Sequence, residues 1–111
     1  MDVLTSPPEL TPTQAGQLAI DFLLADLDVP EEDRDYFSIL SARPSGVDWY
    51  VVEIGLDGLP DKWVLQVYNS GDCDPCYTFV SPMPATEDVD LAEFPTKIAE
   101  IIAAERRGER L

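Results

Sequence analysis

Lys62-Trp63-Val64-Leu65-Gln66-Val67-Tyr68 is the stretch on which the reading of this chain turns. Trp63, Leu65 and Val67 alternate with Lys62, Val64, Gln66 and Tyr68, the two-residue period of a strand with one face in a core. Turn signals bracket it: Asp57-Gly58-Leu59-Pro60-Asp61 before, Asn69-Ser70-Gly71-Asp72 after. Beyond those turns the β pattern repeats. Residues 36–43 end at Pro44-Ser45-Gly46, residues 47–56 are rich in β-branched and aromatic side chains, and residues 76–80 resume the pattern until Pro82. Links this short suit antiparallel neighbours rather than parallel crossovers, so a four-stranded meander is predicted.

Helical signals flank the strands. Thr11-Pro12-Thr13-Gln14 combines a capping threonine, a proline at the first helical position and a capping-box glutamine. Ala15, Leu18, Ala19, Phe22 and Leu23 then recur at helical spacing, Leu27 extends the stripe, and Pro30 stops the helix by about residue 28. Near the other end, Pro82 and Pro84 mark a linker, Asp90 and Glu93 suit the cap of a short turn, and Pro95 opens a last helix. Ile98, Ile101 and Ile102 give that helix an apolar face, Arg106, Arg107 and Arg110 complement its C-terminal dipole, and Gly108 ends it.

The prediction is an α+β fold in the order α-β-β-β-β-α: an N-terminal helix, a four-stranded antiparallel meander sheet and a C-terminal helix, with the helices packed on one sheet face. Residues 11–111 form one domain, preceded by a flexible N-terminal arm over residues 1–10 that carries Pro7-Pro8. In element order alone, this resembles cystatin-like domains and several small bacterial immunity proteins; no family motif accompanies the likeness.

Hydrophobic residues at 45% and charged residues at 26% are the balance of an ordinary globular domain, which argues against general disorder. No apolar run approaches the roughly 18 residues of a membrane span. The first eleven residues lack the basic start and apolar stretch of a secretory signal, so a cytoplasmic location with reduced cysteines is expected.

Charge is the better functional clue. Twenty-two acids against seven Lys or Arg give a net charge of −15. Such a surface disfavours direct nucleic-acid binding, which needs cations to neutralise phosphates, and it disfavours anionic membranes for the same reason. It attracts and steers a basic protein partner. The candidate acids are Asp28, Glu31, Glu32, Asp33 and Asp35 in the solvated acidic connector over residues 26–35, together with Asp57 and Asp61 in the following turn. That connector lacks the glycine a calcium loop needs, because Glu31 stands in its place. The 13 Asp against two Lys suit a second reading equally, in which acidity serves solubility or salt adaptation of a housekeeping or structural domain.

Chemistry beyond packing has one place to reside: Cys73-Asp74-Pro75-Cys76, which holds the only cysteines. A proline before the second cysteine resembles the thioredoxin-type active site. Thioredoxin-like pairs open a helix that stabilises the thiolate, whereas residues 77–82 are short and β-prone, and Asp72 and Asp74 oppose a thiolate. Cys73 and Cys76, with Asp72 and Asp74 as oxygen donors, supply half of a zinc site, and a symmetric homodimer can pool two pairs into a four-cysteine site. A small i,i+3 disulfide and two unbridged thiols in a strand connection are the remaining readings.

Histidine is absent, which removes the commonest general base and metal ligand. No glycine-rich phosphate loop or nucleophile elbow is present, so the expected protein is not an enzyme and carries no resident cofactor. Trp49, Tyr50, Trp63, Tyr68, Tyr77 and Phe79 fall in the strand region, and an exposed aromatic-aliphatic sheet face there marks a second candidate binding surface.

Overall fold

A computed structural model describes residues 10–84 and 89–108. Residues 1–9 of the expected arm over residues 1–10, and Arg110, lie outside the described residues. The elements are helix α1 (Pro12–Asp26), strands β1 (Phe37–Pro44), β2 (Trp49–Leu56), β3 (Lys62–Tyr68) and β4 (Thr78–Val80), and helix α2 (Thr96–Arg106). Short 3₁₀ turns occupy Glu31–Tyr36 and Val89–Leu91. The four strands form one open antiparallel sheet in the order β1-β2-β3-β4, the predicted α+β meander.

The local signals act as their chemistry dictates. Thr11 accepts a hydrogen bond from the Gln14 backbone N–H, and the Gln14 side chain accepts one from the Thr11 N–H, closing the capping box. At the other end of α1 the Asp28 N–H donates to the Ala25 carbonyl and the Val29 N–H to the Leu24 carbonyl. This is a Schellman ending, and Asp28 takes its left-handed position at φ 58° where glycine is usual. At the end of α2, Gly108 is likewise left-handed at φ 78°, and its N–H donates to the Glu105 carbonyl at 3.0 Å.

Alternation in β3 sorts the side chains as predicted: Trp63, Leu65 and Val67 are fully buried. They meet Val52, Ile54 and Leu56 of β2, Phe37 of β1, and Ala15, Ala19, Leu23 and Leu24 of α1 in one core, which Ile98, Ile101 and Ile102 of α2 complete. A bulge at Leu40 breaks the β1–β2 register between Ile39 and Ser41. Leu40 lies over Gly55, where a Cβ would come within 2.9 Å of its Cδ1, so Gly55 makes room for the bulge.

Both helices cover the inner sheet face. The outer face carries Trp49, Val51, Val64 and Tyr68 beside Glu53, which pairs with Lys62 at 2.8 Å and Arg43 at 3.3 Å. These hydrogen-bonded cations hold the Glu53 carboxyl below its ordinary range, Lys62 foremost. Among the described residues no helix is long and apolar enough to cross a membrane.

Candidate functional site

The acids grouped by sequence divide into two populations. Asp61 is 1% exposed and receives two hydrogen bonds, each 2.7 Å, from the Nε and Nη2 atoms of Arg106. It is therefore not part of a partner-binding surface: a buried carboxylate needs a cation, and Arg106 is that cation. Arg106 lies in the last turn of α2, as expected, but it is buried there. Its buried guanidinium bonds Asp61 and also Asp90, at 2.9 and 3.0 Å. These carboxylates push its pKa further up, and it holds Asp90 below the ordinary carboxylate range. Asp33 is also mostly enclosed, at 8% exposure, because the 3₁₀ turn rotates it inward.

The remaining candidates stay outside. Asp28, Glu31, Glu32, Asp35 and Asp57 are exposed. Asp28 has a backbone role at the end of α1, and Glu31 lies 3.7 Å from Arg34, which bonds Asp21 at 2.7 Å.

Asp35 and Asp57 are brought together. They line an open cleft of about 610 Å³ with Tyr36, Gly58, Asp90, Glu93 and Phe94. Three parts of the chain build it. The 3₁₀ turn supplies Asp35 and Tyr36, the β2–β3 turn supplies Asp57 and Gly58, and the segment leading into α2 supplies Asp90, Glu93 and Phe94. The turns are tied together, since the Asp57 N–H donates to the Tyr36 carbonyl at 3.3 Å and the Ser38 hydroxyl donates to Asp57 at 3.0 Å. Gly58, at φ 90°, makes the turn in a conformation that side chains resist.

The cleft has an aromatic wall. Tyr36 and Phe94 stack at 5.9 Å between ring centroids, tilted by 56°, and Tyr36 is 39% exposed. Among the described residues, the side chains of Asp35 and Glu93 make no hydrogen bond or ion pair, and that of Asp57 meets only the neutral Ser38 hydroxyl. Carboxylates beside an open ring face suit a cationic group, which gains from the charges and from the ring quadrupole together. Tyr36, Asp90, Glu93 and Phe94 were not singled out from sequence as parts of this site. The Pro95 helix start was the available hint, because residues just before a helix are held in place by it.

The cysteine turn is structural in its contacts. Asp74 and Cys73 continue the β3 ladder, through the Asp74 N–H to Gln66 carbonyl bond and the Val67–Cys73 bridge. The Cys73 sulfur lies 3.6 Å from the Leu18 carbonyl of α1, while Cys76 is exposed and the two thiols are unbridged. Burial, and then the Asp72 charge, push the Cys73 thiol up, away from the thiolate that nucleophilic attack needs. Asp74 accepts from the Cys76 N–H at 2.8 Å, which occupies it in the turn itself. Among the described residues of the single chain no three Cys, Asp or Glu side chains converge as metal ligands. Tyr77 completes the segment's attachment to α1, with its hydroxyl donating to Asp26 at 2.6 Å and its ring edge-on to Phe22.

No protein-family model matches the chain, and neither a curated protein nor a solved structure is significantly similar to it.

Proposed function

We propose that this protein is a non-enzymatic protein-binding module that receives a cationic side chain of a basic partner in the acidic cleft lined by Tyr36 and Phe94. The observation that carries the reading is the pairing of an exposed aromatic wall with Asp35, Asp57 and Glu93, none of which meets a cation of the described chain. The mechanism has two stages. The net charge of −15 draws in a basic surface over long range, and the cleft then holds one cation against a ring face.

Magnitudes bound what this site does alone. An exposed cation–π contact contributes about 0.5–1 kcal/mol and each exposed ion pair about 0–1 kcal/mol. Their sum falls short of the roughly 4 kcal/mol that corresponds to a millimolar Kd. A single cation is therefore held weakly, and the partner must bring further contacts.

The test is a nuclear magnetic resonance titration of the protein with a capped peptide holding one arginine between serines. The expected result is a set of shifts confined to Tyr36, Gly58, Glu93 and Phe94, with affinity that falls as salt is raised from low to several hundred millimolar. Shifts scattered over the whole acidic surface, or binding indifferent to salt, would sink the proposal.

A further inference from the structure

Phe94 also lines a second open depression of about 380 Å³, over the start of α2, whose apolar lining comes from Leu91, Ala92, Phe94, Ala99 and Ala103. Phe94 is the wall common to both. The first is acidic and aromatic; the second presents small apolar side chains, with Glu100 and Thr96 also in its lining.

We infer that the two depressions act as one groove for a segment of a protein partner in which a cationic side chain stands next to an apolar one, the cation in the acidic half and the apolar group against Ala99 and Ala103. This rests on the cation-accepting reading of the cleft and specifies its partner. Charge complementarity selects the occupant of the first half. The shared Phe94 selects the second, because a chain anchored by a cation beside this ring has the apolar depression as its neighbour. The alanines matter for a physical reason: their short side chains leave the depression open, and helix propensity alone does not require them there. Ala99 and Ala103 are one turn apart on the same face of α2, so together they form a floor. The apolar half also supplies what a lone cation lacks, contact energy insensitive to salt.

Three capped pentapeptides decide the matter on the intact protein: arginine between serines, arginine between leucines, and serine between leucines. The leucine–arginine peptide is expected to bind at least roughly tenfold more tightly than the serine–arginine peptide, the scale of burying part of one leucine. Its additional shifts should fall on the Ala99 and Ala103 methyl groups. Ala103→Glu should remove the gain, so that the two arginine peptides bind that variant with equal affinity, because a carboxylate then stands where the apolar group would be buried. If that variant unfolds, the three peptides on the unaltered protein still give the answer.

Equal affinity of the two arginine peptides overturns this inference and leaves the cation reading standing. A gain accompanied by shifts on the outer sheet face, at Val64 and Tyr68, overturns it as well. Binding of the serine–leucine peptide as tight as that of leucine–arginine overturns the two-part groove. Failure of both arginine peptides to shift the cleft removes the cation reading, and this one with it.

Discussion

Asp57 and Asp61 stand at the two ends of one five-residue turn, Asp57-Gly58-Leu59-Pro60-Asp61, and their fates are opposite. Asp57 is exposed at the rim of the cleft, bonded to a neutral hydroxyl. Asp61 is sealed in the interior against Arg106. The difference shows that a net charge of −15 is not a surface property spread evenly over the acids. One acid, Asp61, neutralises the buried Arg106, and the functional acids are those left facing solvent near a shape that can use them.

The comparison can be broken most forcefully at Asp61. Asp61→Asn leaves the buried Arg106 with the half-exposed Asp90 as its remaining charged carboxylate among the described bonds, and should destabilise the fold by about 3–5 kcal/mol in urea unfolding. The double replacement Asp61→Leu with Arg106→Met should recover much of that loss, because neither change then strands a buried charge. A loss under about 1 kcal/mol for Asp61→Asn would mean that this pair is not the buried anchor described.

Acid provides the second test. Hydrogen bonds from Arg106 depress the Asp90 pKa in the folded state. A carboxyl with a lowered folded pKa contributes stability that is complete above its unfolded value, near pH 4, and is lost as pH falls through the lowered one. Stability should therefore decline below about pH 4, and Asp90→Asn should flatten part of that decline as well as lower stability at neutral pH. An unchanged acid limb in Asp90→Asn refutes the linkage.

Smaller still is Asp28→Gly. Asp28 holds a left-handed conformation at a helix C-terminus, where its charge also opposes the dipole. Glycine there should raise stability by about 0.5–1 kcal/mol, read as a higher melting temperature. The smallest stability effect belongs to the cleft. Asp35→Asn with Glu93→Gln should change unfolding free energy by no more than about 0.5 kcal/mol while weakening the arginine peptide several-fold. Loss of stability in that pair, without loss of binding, would place the cleft acids with Asp61 and not with Asp57.

The fold was legible because its signals are local. The Lys62–Tyr68 alternation, the Thr11–Gln14 capping box and the proline and glycine punctuation each act within a few residues, so they survive without knowledge of neighbours. Strand ends were read less well: β4 begins at Thr78 and not at 76, because Cys73–Tyr77 are engaged with β3 and α1. The site was half legible. Asp35 and Asp57 were named, yet Asp61 was grouped with them and Tyr36, Glu93 and Phe94 were not, since a turn pattern records neither which acid faces inward nor which distant ring lies beside it.

By itself the sequence determined the element order, the inner face of β3, the ends of both helices and the excess of negative charge, all consequences of short-range sterics and periodicity. Tertiary structure alone decided which acids carry that excess to the surface. Arg106 reaches Asp61 across 45 positions, and Phe94 reaches Tyr36 across 58. Long-range contacts of this kind depend on how the helices settle on the sheet, and no local pattern encodes them.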